Sequence, residues 1–337
     1  MKLIIFGYLK KNLGDDLILK TVIENTDFEE YVLIGYEKIG VSTSKEDKII
    51  YISKSIFKIF RAIRKGDRIA IVGGSVLQDK LYQYLNPGIH LIRILTFAFG
   101  KLVGTKNYII GANISKVNFK FRYNLFLKIL QLLTDVWTVR DNYSVEYLRK
   151  IGTKNVLFAE DIVFSSDLVK YKKNGNPKKV AISVVKTNDS FDCEAYQEKL
   201  QLWIRSFLDN GFHIDLLLFQ NEEDFDTAFD LKNKFIGEDI DIIKNKNDDI
   251  VKVMSEADYL IASRFHSLIL GIILGKKLIV YSYANKNENF LANHNWKNVI
   301  VDPQEEYVFD LKRFVSISAD IKKLEQSSAI HFKVLIS

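Results

Sequence analysis

The sequence predicts an α/β fold made of two Rossmann-like, doubly wound domains. Short apolar runs alternate with longer amphipathic segments, which is the pattern of strands and helices around a mostly parallel sheet. The alternation breaks at Lys172–Lys179, where four lysines, two asparagines, a glycine and a proline cluster as in a linker. We therefore expect an N-terminal domain at residues 1–173, a second domain at 174–303 and a largely helical tail at 304–337. Two such domains would face a central cleft at the carboxyl ends of their sheets, where ligands bind in open α/β folds.

The first domain begins with an apolar run that we interpret as a buried strand. Lysines follow this run and no small-residue cleavage site does, which argues against a signal peptide. Strands are predicted where such runs occur: Lys2–Tyr8, Glu30–Ile34, Lys48–Ile52, Arg68–Val72, Tyr108–Gly111, Val136–Val139 and Val156–Phe158. Helices are predicted at the amphipathic segments between them: Asp15–Asn25, Ser55–Lys65, His90–Gly104, Phe119–Thr134 and Asn142–Ile151. Gly152 ends the last of these helices.

The second domain repeats the same rhythm after the linker. Its predicted strands are Val180–Val185, His213–Phe219, Ile240–Ile243, Tyr259–Ala262 and Lys277–Tyr283. Its predicted helices are Cys193–Asn210, Glu222–Ile236, Asp248–Glu256 and Ser267–Leu274. Gly211 closes the first of these helices, and the tail from Gln304 reads as helical, including Asp320–Glu325.

Composition limits the class of protein and of partner. Hydrophobic residues make up 47% and charged residues 27% of the 337 residues, as in soluble globular proteins. Lys and Arg number 48 against 42 Asp and Glu, a net charge of +6, which suits anionic ligands. We expect no nucleic-acid partner, because these charges are too spread out along the sequence. With the single cysteine Cys193 and no His/Cys cluster, we expect no disulfide within the chain and no metal site or other cofactor.

Location follows from the apolar stretches. The longest uncharged one, Phe265–Gly275, is far shorter than the ~20 residues that span a bilayer. We therefore expect a cytoplasmic protein with at most peripheral contact with the inner membrane surface. Leu91–Phe99 is an apolar segment that could support such contact, although a buried helix is the favoured interpretation.

Two glycine-containing turns in the first domain are candidate ligand-binding elements. Gly7–Asp16 joins the first strand to the first helix, and its Asn12, Gly14, Asp15 and Asp16 lie where backbone amides and carboxylates can meet a ligand. Asp15 or Asp16 could also merely cap the helix. Neither a dinucleotide fingerprint nor a P-loop is present.

The second turn follows a buried strand. Gly73, Gly74 and Ser75 allow close approach of a substrate to the backbone, and Asp79 could reach a sugar hydroxyl. An ordinary strand-to-helix turn is the alternative interpretation.

Cationic residues follow three predicted strands. Arg140 comes after Val136–Val139, and a guanidinium there can bind carboxylate or phosphate in a bidentate manner, or pair with a neighbouring acid. Arg264 and His266 lie together at a strand-to-helix turn, beside helix amides, and suit an anion that undergoes acid–base chemistry. Lys286 follows the next strand and would lie beside them if the two strands are neighbours.

In combination, these residues resemble the polysaccharide pyruvyl transferase family. The matching motifs occur in family order over most of the chain: Gly7 to Asp16, Gly73-Gly74-Ser75 with Asp79, Val139-Arg140-Asp141 with Ser144, Phe158-Ala159-Glu160-Asp161, Ser263-Arg264-Phe265-His266-Ser267, and Ser282-Tyr283 with Lys286. Many members carry a third glycine where this chain has Ser75. The resemblance implies a fold like that of GT-B glycosyltransferases, phosphoenolpyruvate as donor, and a glycan or lipid-linked saccharide of a cell-surface polysaccharide as acceptor.

The resemblance also implies roles for the residues. Arg140, His266 and Lys286 match the donor-associated residues of the family, and Arg264 matches the arginine of its R-x-H motif. His266 and Arg140 are the expected catalytic residues. The chemistry expected is protonation of C3 of phosphoenolpyruvate, attack of two sugar hydroxyls on C2 and release of phosphate, giving a pyruvate ketal. Two alternatives stay open: a GT-B glycosyltransferase that uses a nucleotide-sugar, and a non-catalytic sugar- or anion-binding protein.

Overall fold

The structure is a computed structural model, and it describes residues 1–7, 12–35, 39, 41–77, 87–114, 120–186, 193–246, 248–282 and 285–337. The chain forms two compact units. Unit 1 comprises Met1–Lys10, Asp15–Ser165 and Lys322–Ser337, and unit 2 comprises Lys11–Gly14 and Ser166–Ile321.

Unit 1 is built on a seven-stranded, fully parallel sheet in the order β3-β2-β1-β4-β5-β6-β7. Its strands are β1 Lys2–Phe6, β2 Glu30–Ile34, β3 Ile49–Ile52, β4 Arg68–Val72, β5 Lys106–Ala112, β6 Val136–Val139 and β7 Val156–Phe158. Its helices are α1 Leu13–Glu24, α2 Ile56–Ala62, α3 Pro87–Val103, α4 Lys120–Leu133 and α5 Asn142–Lys150. Strand β4 is buried throughout and β5 is buried except at Lys106, as expected of a parallel sheet covered by helices.

Unit 2 contains a six-stranded sheet in the order β10-β9-β8-β11-β12-β13. Its strands are β8 Asn176–Ser183, β9 His213–Leu218, β10 Ile240–Lys244, β11 Ala257–Ala262, β12 Lys277–Val280 and the short antiparallel β13 Val315–Ser316. Its helices are α6 Cys193–Asp209, α7 Asn221–Asn233, α8 Asp249–Glu256, α9 Phe265–Ile273 and α10 Asn285–Asn293. One cluster of the core lies against one face of this sheet, where Trp203 packs with Phe314 and Phe207 packs with Tyr259.

The prediction of two Rossmann-like α/β domains is confirmed. The bounds of β2, β4, β6 and β7 agree with the predicted bounds, and the other predicted elements that lie in described residues shift by a few residues at their ends. Two parts were wrong. Residues 176–179, predicted as linker, begin β8, because residues at this end of the strand pair with β9 and β11. Residues 304–310 are not helical.

The end of the chain is divided between the two units rather than forming one tail. Residues 304–321 group with unit 2, where β13 pairs with β12. The last helices, α11 Ile321–Ser328 and α12 Ile330–Ile336, follow, and α12 packs on β5 and β6 of unit 1. The observed division at Ser165/Ser166 precedes the predicted boundary after residue 173. Among the described residues, no helix has both the length and the apolar character needed to cross a membrane.

Candidate active site

The turn between β11 and α9 carries Arg264 and His266, as predicted. Arg264 is the N-cap residue of α9, with extended backbone. The backbone N–H groups of Ser263 and Arg264 donate to Oγ of Ser183, at 2.8 and 3.2 Å, and Oγ of Ser183 and Ser267 lie 2.7 Å apart. Because Ser183 is the last residue of β8, the neighbouring strand fixes the backbone of this turn. The two chemically active side chains therefore project from a rigid support.

The Arg264 side chain is held by an acid from another element. Its Nη2 donates to Oδ1 of Asp224, a fully buried residue of α7, and Glu223 Oε2 lies 3.9 Å from the same nitrogen. Burial raises the pKa of Asp224, and the Arg264 guanidinium opposes that rise. Oδ2 of Asp224 also accepts the backbone N–H of Gln220, at 3.0 Å. The guanidinium is thus oriented at the N-terminus of α9, where the helix dipole already favours anions.

His266 lies against Gly14, which groups with unit 2. A Cβ placed on Gly14 would be 1.8 Å from Nδ1 of His266, so only glycine allows this approach. The segment that carries Gly14 is anchored to the end of β9, because Leu13 N donates to Phe219 O at 2.9 Å. Oδ1 of Asn12 accepts the Gly14 N–H at 2.9 Å, so Asn12 caps α1, a role that the sequence alone also allowed for Asp15 or Asp16.

The prediction that the strands before Arg264 and Lys286 are neighbours is confirmed. Strands β11 and β12 pair in parallel, with Ala262 opposite Val280. Nζ of Lys286 lies 5.9 Å from the ring centroid of Phe265, whose ring is 5.3 Å from that of His266. The next residue, Asn287, is fully buried and donates from Nδ2 to Ser263 O at 3.3 Å. The start of α10 is thereby tied to the turn that carries His266.

Arg140, in unit 1, is a buried residue at the carboxyl end of β6. Its Nη1 lies 2.5 Å from Oδ2 of Asp161 and its Nη2 lies 3.0 Å from Oδ1 of Asn113. Its guanidinium also lies against Gly74, where a Cβ would be 1.9 Å from Nη2. The close approach that the glycine turn was expected to offer a substrate is therefore used by Arg140. Asp141 caps α5 by accepting the Ser144 N–H at 2.7 Å.

The other predicted acceptor residues of unit 1 lie in the first turn of α1 and around the glycine turn. Asp16 is buried, and Oδ1 of Asp15 lies 3.8 Å from the position that a Cβ on Gly73 would take. Asp79 and the side chain of Ser75 lie outside the described residues. The structure therefore brings the predicted residues together as two sets. Asn12 and Gly14 lie with His266 and Arg264 in unit 2, whereas Arg140 lies with Gly74 in unit 1.

A buried histidine contacts two residues, Thr138 and Glu160, that lie close in sequence to Arg140 and Asp161. Nδ1 of His331, in α12, lies 2.7 Å from Oγ1 of Thr138, and Nε2 lies 2.8 Å from Glu160 O. Because a carbonyl only accepts, Nε2 carries the proton of the neutral ring and Nδ1 accepts from Thr138. Burial lowers the pKa of His331 to about 4. Sequence reasoning found no partners for this histidine, since they lie 193 and 171 residues earlier in the chain.

A second histidine with partners, His213, lies at the amino ends of the unit 2 strands. His213, Asp215 and Asp241 offer ligand atoms within 4.8 Å of one another, a group that could hold a metal ion. Asp215 is also paired with Lys179 at 3.0 Å. Because His213 begins β9 and Asp241 lies near the start of β10, the group is remote from the β11–α9 turn, which follows the carboxyl end of a strand.

Structures of known proteins define the class of fold. UDP-GlcNAc 2-epimerase from Methanocaldococcus jannaschii is 9% identical, with a TM-score of 0.61, over 100% of this chain and 99% of that chain. UDP-GlcNAc 2-epimerase from Neisseria meningitidis, bound to UDP-GlcNAc, is 11% identical, with a TM-score of 0.57, over 100% of both chains. The trehalose-6-phosphate synthase OtsA is 9% identical, with a TM-score of 0.53, over 100% of this chain and 95% of that chain. The chain thus has the fold of GT-B glycosyltransferases and related epimerases.

The sequence gives the family. The model of the polysaccharide pyruvyl transferase family matches residues 12–285, and the chain belongs to that family. The matched range contains Arg140, Arg264 and His266 and ends just before Lys286. The protein is accordingly a transferase by family. A search of the curated proteins gives no match.

Proposed function

We propose that this protein transfers the pyruvyl group of phosphoenolpyruvate to a glycan or lipid-linked saccharide of a cell-surface polysaccharide, in the cytoplasm. The observation that carries the proposal is the turn at the N-terminus of α9, which holds Arg264 and His266 on a fixed backbone with Lys286 nearby. Phosphoenolpyruvate carries a carboxylate and a phosphate, so its site needs cations. The family match supports the same reaction class.

The donor-binding residues we propose are Arg140, Arg264, His266 and Lys286. Arg264 has its guanidinium fixed by Asp224, which lowers the entropic cost of binding an anion. Arg140 is likewise fixed, by Asp161 and Asn113. Preorganised cations of this kind stabilise developing charge on a leaving phosphate without needing a metal ion.

The proposed reaction converts phosphoenolpyruvate and two sugar hydroxyls into a ketal and phosphate. A proton is added to C3 of the enol, which becomes a methyl group and leaves an oxocarbenium-like centre at C2. One sugar hydroxyl forms a C–O bond to C2, the bond from C2 to the phosphate oxygen breaks, and a second hydroxyl closes the ketal. The two hydroxyls lose two protons; one replaces the proton added to C3 and the other is released with phosphate. We propose that His266 makes one of these transfers, which contribute about 10²–10⁴-fold each.

The proposed acceptor residues are Asn12, Gly14, Asp15, Asp16, Gly74, Ser75 and Asp79. Gly14 contacts the His266 ring, so an acceptor hydroxyl near this glycine would lie close to the proposed proton carrier. Asp15, Asp16 and Asp79 are the three candidates for the partner base.

Thermal stabilisation by phosphoenolpyruvate, compared with UDP- and GDP-sugars, tests the proposal. A ligand that binds the folded state raises Tm in proportion to the logarithm of its concentration over Kd. We expect a shift with phosphoenolpyruvate that Arg264→Gln and Lys286→Gln reduce. His266→Gln should reduce the shift less than these two variants do, but it should lose phosphate release from phosphoenolpyruvate in the presence of saccharide acceptors.

Two outcomes would contradict the proposal. A shift with a nucleotide-sugar and none with phosphoenolpyruvate would assign the protein to the glycosyltransferases instead. A phosphoenolpyruvate shift that is unchanged in Arg264→Gln and Lys286→Gln would remove the proposed donor site. Lys297→Gln, an exposed lysine of unit 2 outside the turn, is the matched control for loss of one charge.

A further inference from the structure

Contrary to the expectation that the charges are spread out, positive charge is concentrated in one part of the chain. Residues 48–134 contain fifteen Lys and Arg but only two acids, Asp67 and Asp79, which gives this segment a net charge of +13. The whole chain has a net charge of +6, so the remaining residues together are acidic. The segment includes helices α2, α3 and α4 of unit 1.

These three helices form one layer on the unit 1 sheet. The rings of Phe60 in α2 and Phe99 in α3 stack with centroids 4.2 Å apart, and α3 packs against α4. The outer surface of this layer exposes large apolar side chains, which we name the α2–α4 face: Phe57, Leu91, Leu95, Leu102, Leu125 and Leu132. Phe57, Leu102 and Leu132 are 83%, 86% and 82% exposed, respectively.

The exposed leucines lie in straight stripes rather than scattered. Leu91, Leu95 and Leu102 are spaced by four and seven residues in α3, and Leu125 and Leu132 by seven in α4, so each set falls on one side of its helix. A helix with an outward apolar stripe, in addition to the side that packs on the sheet, presents a surface suited to a partner.

Cations surround these stripes. Lys128 is exposed between Leu125 and Leu132, and Lys65 lies beside Gly104 at the end of α3, 3.6 Å from the position of a Cβ there. Lys58 and Arg61 line an open depression of about 300 Å³ next to Phe57. Within the part of the chain that the structure describes, none of these four cations pairs with an acid. Their charge is available to an external anion.

We propose that the α2–α4 face docks on an anionic lipid bilayer. Amphipathic surfaces bind membranes when apolar side chains enter the headgroup boundary and flanking Lys and Arg meet anionic lipids. The other two possible partners fit this face less well. A second copy of the face would bring like charges together, and a nucleic acid would gain nothing from six exposed apolar side chains. This docking surface does not depend on the identity of the donor.

Vesicle co-sedimentation tests the proposal with the full-length chain. The probes are vesicles of phosphatidylcholine alone and of phosphatidylcholine mixed with phosphatidylglycerol. We expect binding to the mixed vesicles only, weakened by added salt. Two triple variants should each lose at least about tenfold in affinity for the mixed vesicles. They are Phe57→Ser/Leu102→Ser/Leu132→Ser and Lys58→Glu/Lys65→Glu/Lys128→Glu.

Matched controls change the same chemistry in unit 2, where Ile236 is 86% exposed and Lys234 and Lys297 are exposed. Ile236→Ser and Lys234→Glu/Lys297→Glu should bind vesicles as the unmodified protein does. Equal losses in the controls, equal binding to both vesicles, or no binding at all would overturn the proposal. A change of oligomeric state in the triple serine variant, measured without vesicles by sedimentation velocity, would assign the face to self-association and overturn it too.

Discussion

Gly14 and His266 are in direct contact, and no larger residue than glycine fits between the start of α1 and the imidazole ring. A Cβ on Gly14 would lie 1.8 Å from Nδ1 and 2.6 Å from Cε1 of His266. The ring is not the flexible end of a long side chain, because its backbone belongs to the first turn of a buried helix. The position of the proposed proton carrier is therefore set by a glycine more than two hundred residues earlier in the chain.

Gly14→Ala should abolish most of the activity while leaving the protein folded. The added methyl group must displace the His266 ring, and misplacement of a catalytic group by about 1 Å costs about 10²-fold in rate. Alanine is otherwise favoured over glycine in a helix by roughly 0.5–1 kcal/mol, so α1 itself should not be weakened. Phosphate release from phosphoenolpyruvate and Tm, measured on the same preparation, separate the two effects.

The control for Gly14→Ala is Gly211→Ala. Gly211 has a φ of +70° and no atom within 4 Å of an added Cβ, so alanine there costs backbone strain without a steric contact. Its Tm should fall and its turnover should stay. Normal turnover in Gly14→Ala would show that the ring position is not needed for the reaction.

The buried pair of Arg140 and Asp161 predicts a distinct pattern of stability. Arg140→Met leaves the Asp161 carboxylate buried without its cation, which costs about 3–5 kcal/mol. The double variant Arg140→Met/Asp161→Leu removes both charges and should recover most of that stability. Urea unfolding of the two single variants and the double variant measures the coupling between the residues.

Activity in the double variant then isolates the role of Arg140. If Arg140 takes part in the reaction, the double variant is stable but inactive, with phosphate release reduced by at least about 10²-fold. A double variant that regains both stability and turnover would reduce Arg140 to a structural residue of unit 1.

Most of the fold could be predicted because its determinants are local. The alternation of apolar runs and amphipathic segments gave β2, β4, β6 and β7 with their observed bounds. The start of β8 was missed because its first four residues have the composition of a linker and are largely exposed. They are Asn176, Pro177 and two lysines. Pairing with β9 and β11, which no local pattern reports, determines this strand.

The candidate site was predictable in its strand-end residues but not in their partners. Arg140, Arg264 and His266 follow apolar runs, and the carboxyl ends of parallel strands carry ligand sites. Asp224, which holds Arg264, occurs in an ordinary acidic first turn of α7, and nothing in its spacing marks it. The clue that was available is topological: α7 follows β9 and α9 follows β11, and both helices start at the same edge of one sheet.

Asn287 should act on the reaction through the turn that it supports. Asn287→Ala removes the hydrogen bond to Ser263 O and leaves that buried carbonyl without this donor, which costs about 1–3 kcal/mol. Since Ser263 directly precedes Arg264, we expect turnover to fall by about tenfold or more. The packing of the unit 1 core should change little, because both residues lie in unit 2.

The matched control is Asn107→Ala, in unit 1. Asn107 is also fully buried and donates from Nδ2 to Phe97 O and Leu133 O, at 2.8 and 2.9 Å. Both variants should lower Tm, but only Asn287→Ala should lower turnover at a temperature well below both midpoints. Equal turnover in the two variants would restrict Asn287 to a role in stability.

His331 should make the protein lose stability in acid. Its pKa is lowered by burial to about 4 in the folded protein, against 6.5 for an exposed histidine. The unfolded chain therefore binds more protons than the folded protein between these pH values, and the free energy of unfolding falls as the pH drops from 6.5 to 4. The full effect of this group is about 3 kcal/mol, and it is absent above pH 6.5. His331→Gln keeps a donor for Glu160 O and an acceptor for Thr138 but cannot titrate, so urea midpoints measured across this range should depend less on pH than those of the unmodified protein.

His213→Gln should act in the opposite sense. Although partial burial lowers the pKa of His213, hydrogen bonds to Asp239 and Asp215 outweigh it and raise that pKa, so this histidine stabilises the protein below pH 6.5 and its removal should steepen the loss in acid. An unchanged pH dependence in His331→Gln would mean that the ring is protonated in the folded protein and that its contacts with Thr138 and Glu160 differ from those described.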